Sequence, residues 1–159
     1  MANNMLPWKI IQKLESDNSR LFKEDVIENH LNDIEIQDGL AMCLDSLVTF
    51  GVKQVPDSSQ DGPGLSWVNF KRNAILLINR DKTGHAARDL IIELMHEATS
   101  EQWNDWYRRI LIKDLRCGVS EKTGTLNLIP ILFATLFTVF SLTPHLRSLI
   151  SILLYQLFH

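Results

Sequence analysis

Only two cysteines, Cys43 and Cys117, occur among 159 residues, and their spacing offers neither a metal-binding pair nor a disulfide framework. Both read as small buried apolar residues of a protein kept in a reducing cytosol. Repeats and low-complexity stretches are absent. The start, Met1 to Lys9, lacks a basic region followed by an apolar run, so no signal peptide is expected and residue 1 is expected to remain in the mature chain. No Gly-rich loop ending in Lys-Ser or Lys-Thr occurs, which excludes a Walker-type phosphate cradle. Gly118-Val-Ser120 lacks the second glycine of a Gly-x-Ser-x-Gly elbow. His96-Glu97 lacks the second histidine of a His-Glu-x-x-His helix, and His85 and His96 lie about 16 Å apart along a helix axis, too far to share one zinc. His85, Asp89, Glu93 and His96 read instead as a solvated helix face.

Positive charge is also scarce overall, with 16 Lys and Arg against 19 Asp and Glu. The distribution is uneven: residues 1–70 carry −6, residues 71–122 carry +2, and the remainder carries only Arg147. Any surface for a polyanion must therefore be local and drawn from the second segment, since the first would repel it. Weak, salt-sensitive binding is the expectation.

What is present is helical patterning within a length that suits a single domain. Leu6 or Pro7 opens a first helix carrying Ile10, Ile11 and Leu14. Asn18 or Ser19 caps a second, with Leu21, Phe22, Val26 and Leu31 as core candidates. Asp38 precedes a third from Leu40 to Phe50, closed by Gly51. The stretch from Val55 to Leu65 is a loop. Ser66 caps a fourth helix from Trp67 to about Asn79, with Phe70, Ala74, Ile75, Leu77 and Ile78 turned inward. A fifth runs from Gly84 to Ala98. Thr99 and Gln102 fit a capping box for a sixth, on which Trp103, Trp106, Tyr107, Ile110, Leu111 and Leu115 share one buried side.

On the sixth helix Arg109, Lys113 and Arg116 stand at i, i+4 and i+7 and form a basic stripe opposite the apolar side. The stripe is a candidate for phosphate contact, although spacing alone favours a solvated face whose last cations meet the negative end of the helix dipole. Gly118 suits a helix C′ position with positive φ, and Ser120 suits the N-cap of a following helix whose N–H groups could face a phosphate. Between the fourth and fifth helices, Thr83 can cap while Gly84, Ala86 and Ala87 let another backbone approach, whether a DNA strand or a neighbouring helix.

Two of these segments carry a resemblance. Lys113-Asp-Leu-Arg-Cys-Gly-Val-Ser120 resembles the end of the N-terminal DNA-binding domain of bacteriophage-type ATP-dependent DNA ligases, where an arginine-bearing helix enters a Gly-x-Ser turn. Thr83-Gly-His-Ala-Ala87, with basic residues upstream, is similar to a turn of the same family that precedes a helix. The resemblance covers residues 1–123 and is specific across 79–123. It implies an all-α domain of six or more helices that grips nicked double-stranded DNA through phosphate and minor-groove contacts without reading sequence. The positions it points to are Lys82, Thr83, Gly84, Arg116, Gly118, Ser120 and Lys122, with Arg109 and Lys113 as weaker candidates.

Catalysis in that family requires a Lys-x-Asp-Gly motif, whose lysine takes AMP, in a separate nucleotidyltransferase domain. Asp-Gly occurs here at Asp38-Gly39 and Asp61-Gly62, each without the lysine. ATP and Mg are thus implied only for a catalytic domain outside this chain, which alone is expected to be inactive, and a cytoplasmic setting in a bacterium or an infected host is the expectation. From 124 to 159 the composition turns apolar, with one Arg and no Lys, Asp or Glu. Each run of this tail is short for a spanning helix. A membrane tail, extra core, and an out-of-frame or truncated ending are the three readings, and a small membrane-associated helical interaction protein is the rival to the DNA-binding one.

Overall fold

The structure, a computed structural model, describes residues 5–30 and 32–119. Leu31, Ser120, Lys122 and the 124–159 tail lie outside the described residues, and with them all three readings of the tail. Among the described residues the fold is all helical, with no strand and no helix long and apolar enough to cross a membrane.

Helix α1 spans Pro7–Glu15, opened by proline at its first position, where the missing N–H has no partner to lose. Helix α2 spans Arg20–Glu28 under a Ser19 cap. Its inward stripe is Lys23, Val26 and Ile27, so Leu21, expected in the core, is instead 77% exposed. Helix α3 spans Ile34–Leu44, which corrects the expected Leu40–Phe50. Asp33, not Asp38, caps it, accepting the Glu35 N–H at 2.9 Å, while Asp38 turns to an ion pair with Lys71. The helix stops at Asp45, whose backbone is extended and whose carboxylate takes the Leu47 N–H at 2.8 Å.

Helix α4 spans Trp67–Ile78 with Ser66 as cap, and α5 spans Gly84–Glu97. Phe70, Ala74 and Leu77 of α4 face the core, whereas Ile75 and Ile78 are half-buried. The Thr99–Gln102 capping box forms as expected and opens α6, Ser100–Gln102. The chain then passes through a π turn, Trp103–Tyr107, into α7, Arg108–Leu111. In the π turn the Arg108 N–H reaches back to the Trp103 carbonyl, and the extra residue shifts the helical register. Trp103, Trp106, Tyr107, Ile110 and Leu111 all stay buried across that shift. Phe70 and Tyr107 stack at 4.4 Å between centroids, a contact worth about 1 kcal/mol beyond its buried area.

The long connection between α3 and α4 has no helix of its own, so its polar backbone must find partners elsewhere. The π turn and its flanks supply them. Trp103 Nε1 donates to the Pro56 carbonyl at 2.8 Å, the Tyr107 hydroxyl to the Leu65 carbonyl at 2.8 Å, and Asn104 exchanges two bonds with Ser58 at 2.8 and 2.9 Å. Asp61 accepts from both the N–H and hydroxyl of Ser100. The loop is thereby fastened over the aromatic core and presents a fixed edge beside α5.

Candidate functional site

The turn from α4 to α5 is built on a cation in the left-handed region. Arg80 has φ 65°, its N–H bonds the Leu77 carbonyl at 3.2 Å, and the Asp81 N–H bonds the Leu76 carbonyl at 2.9 Å. This paired closure is a Schellman motif with arginine in the place glycine usually takes. The Arg80 guanidinium crosses to Thr49 Oγ1 at 2.8 Å. Gly51 leaves the room, since a Cβ there would lie 1.6 Å from Arg80 Nη1.

Beyond Arg80, Lys82, Thr83 and Gly84 are all exposed. Thr83 precedes the helix in extended conformation, but its side chain caps nothing, which corrects the capping role expected of it. The first N–H groups of α5 therefore keep no side-chain cap among the described residues. Gly84 has φ +55°, and a Cβ added there would meet nothing within 4 Å. Among the described residues no neighbouring helix packs on Gly84, which leaves its backbone open to approach from outside. Ala87 is buried while Ala86 is exposed, so the alanine pair divides between core and surface.

One turn into α5, Arg88 faces a groove of about 570 Å³ whose opposite edge is the loop bearing Lys53 and Gln54, with Ile91 and Ile92 on the helix side. Arg108 also reaches it, but is tied to the Val55 carbonyl at 2.9 Å and to Asp57 at 3.0 Å. No hydrogen bond or ion pair holds Lys53 or Arg88 among the described residues. Sequence reasoning missed both. Arg88 stands four residues after Gly84 on the exposed side of α5, a signal that could have found it; Lys53 carries none, because only the folded loop brings it there.

The basic stripe of the sixth helix does not form. Arg109 is buried at 9% exposure, donating to Glu15, to Asp105 at 2.9 Å, and to the carbonyls of Leu115 and Asn104 at 2.8 and 3.3 Å. Lys113, at φ 58°, ends α7 in a second Schellman closure: its N–H bonds Ile110 and that of Asp114 bonds Arg109, both at 3.0 Å. Its ammonium gathers the carbonyls of Met42, Asp45 and Val48. Both cations are committed to holding the domain together, and neither is a solvated residue nor open to a phosphate. The helix has already ended, which is why i, i+4, i+7 spacing fails to align them.

Arg116 is exposed, at φ 57°, with its N–H on Asp114 Oδ1 at 2.9 Å and its Nε 3.9 Å from Asp114 Oδ2. Gly118 has the positive φ expected of it, 68°, but not as a helix C′ residue, because α7 closed at Lys113. It is exposed. Ser120 and Lys122 fall outside the described residues. Cys43 and Cys117 are buried as expected, and burial pushes the Cys43 thiol up to about 12 and raises that of Cys117 too, so neither is a reactive thiolate.

Both Asp-Gly pairs are engaged within the fold. Asp38 of the first Asp-Gly pair is held by Lys71, Gly39 lies under Trp106, and Asp61 of the second pair caps Ser100. His85, Asp89, Glu93 and His96 are exposed along α5. Among the described residues no group of three or more His, Cys, Asp or Glu could hold a metal ion.

No family model and no curated protein matches the chain. Solved structures do. A chain named "Pmar-Lig_PreS3" is 47% identical with a TM-score of 0.74, over 83% of this chain and 31% of that one; another, named "Pmar-Lig_Pre.", is 46% identical with a TM-score of 0.74, over 82% and 30%. Identity and superposition of this order make the helical domain akin to a ligase-associated domain. The chain spans under a third of the length of those structures.

Proposed function

We propose that this domain holds duplex DNA beside a nick as the N-terminal part of an ATP-dependent ligase of bacteriophage type, with adenylation and sealing carried out by a nucleotidyltransferase domain outside the chain. The observation that carries the reading is the open Lys82-Thr83-Gly84 turn. Among the described residues its helix N–H groups have no side-chain cap and a Cβ on its glycine would meet nothing within 4 Å, so a phosphate can approach the backbone directly. Lys53 and Arg88 line the groove beside the same turn as cations with no acidic partner among the described residues, and such charges supply the sequence-independent part of DNA affinity. Arg116 and Gly118 belong to a second turn, with Ser120 and Lys122 following it in the chain.

The contacts are to phosphate and sugar, which position a duplex without reading it. With few cations free, binding is weak and steeply salt dependent, and the role of the domain is to raise the local concentration of nicked duplex at the catalytic part. ATP and Mg are used there, in nick sealing during replication, repair and recombination, in a cytoplasmic setting. Titration of nicked duplex with the full chain, at low and moderate salt, tests the reading: saturable binding that weakens with salt supports it, and no binding at low salt by a folded protein overturns it.

A further inference from the structure

Lys23 is the odd residue of α2. It lies on the inward stripe with Val26 and Ile27 and is only 6% exposed, although lysine is rarely buried without a partner because its charge loses hydration. No hydrogen bond or ion pair holds its ammonium among the described residues. The nearby acid Glu15 is engaged by Arg109. The ammonium instead ends at the Gly118 turn: a Cβ on Gly118 would stand 2.9 Å from Lys23 Nζ. The stem is buried, and the ammonium ends beside a turn where the chain has both a left-handed φ and no side chain.

We propose that Lys23 and the Gly118 turn form a phosphate-binding site, taking one phosphodiester of the duplex backbone with Arg116 beside it. This deepens the proposed function and rests on it. Gly118 serves twice there. Its φ of 68° suits glycine, and its bare Cα keeps the path to Lys23 Nζ clear. Asp114, the acid of this turn, is turned to the Arg116 N–H and guanidinium, so it lowers the charge at Arg116 and leaves Lys23 as the stronger anchor. The acidic composition of residues 1–70 hides this contribution, because the lysine that completes the site comes from α2 and meets the turn only in the folded protein.

The test uses the full chain and a nicked duplex. Lys23→Met keeps the apolar stem and removes the charge; Lys23→Arg keeps the charge. Wild type and Lys23→Arg should share one slope of log affinity against log salt, and Lys23→Met should bind several-fold more weakly with a slope lower by about 0.9, one phosphate neutralised less. Lys23→Met with wild-type affinity and slope overturns the site. Should that variant fail to fold, heteronuclear NMR of the Lys23 side chain in the wild-type protein decides: its ammonium signal should shift on adding duplex, and an unmoved signal overturns the site. If the wild type binds no duplex, the proposed function itself falls, which separates that failure from one confined to Lys23.

Discussion

Trp106 donates its indole N–H to Glu35 Oε1 at 3.0 Å, joining the π turn to the first turn of α3. The carboxyl lies against the aromatic cluster, and burial pushes its pKa up to about 7, with the Trp106 bond working in the opposite direction. A carboxyl whose folded pKa exceeds its unfolded value binds its proton more tightly when folded. Its favourable share is complete below about 4.5, falls as pH rises toward about 7, and is lost above. Glu35→Gln keeps an acceptor for Trp106 without the charge. Its thermal midpoint relative to wild type should therefore rise between pH 5 and pH 8. A difference independent of pH would show that Glu35 ionises normally in the fold.

Gly39 is a packing requirement. A Cβ there would sit 2.3 Å from Trp106 Cζ2 and 2.6 Å from Cη2, and a ring locked in the core cannot swing aside as a flexible side chain could. Gly39→Ala should cost roughly 1–3 kcal/mol of stability by overpacking, read by urea unfolding. Wild-type stability in that variant would mean that α3 and the π turn are less closely seated than described.

Arg109 and Lys113 separate structural from functional cations. Arg109→Ala leaves Glu15, Asp105 and the Leu115 carbonyl without their donor, a loss of about 2–3 kcal/mol for groups that keep some access to water. Duplex affinity of the fraction still folded should keep its salt slope. Unchanged stability with a lowered slope would return Arg109 to the binding surface.

Much of this fold was legible in the sequence. Pro7, Ser19, Ser66 and the Thr99–Gln102 box mark helix starts because capping is local chemistry, complete within four residues. The start of the third helix is not legible in this way: only in the folded chain does Asp33 take the Glu35 N–H as cap while Asp38 pairs with Lys71 across the fold. The basic stripe failed because spacing assumes an unbroken helix. The π turn and the Lys113 closure interrupt it, and neither follows from a pattern of apolar residues. Lys82 and Gly84 were legible as a turn before a helix, whereas Lys53 and Lys23 reach their places only through a folded loop and a helix packing.

At the α5 turn, Lys82→Ala with Arg88→Ala removes two exposed cations that hold no partner among the described residues. Stability should stay within about 0.5 kcal/mol of wild type, as for surface changes away from structural features. The salt slope of duplex binding should fall by about 1.8, two contacts at the duplex value. An unchanged slope would remove this turn from the interface.

Phosphate-mediated binding of duplex DNA by the helical domain is decided by a salt titration of the full chain with nicked duplex, repeated on a duplex of unrelated sequence. Saturable binding to both sequences, with equal affinity and a log–log salt slope steeper than −1, is the predicted result. A folded protein that leaves both duplexes unbound at low salt, or an affinity insensitive to salt, would contradict it.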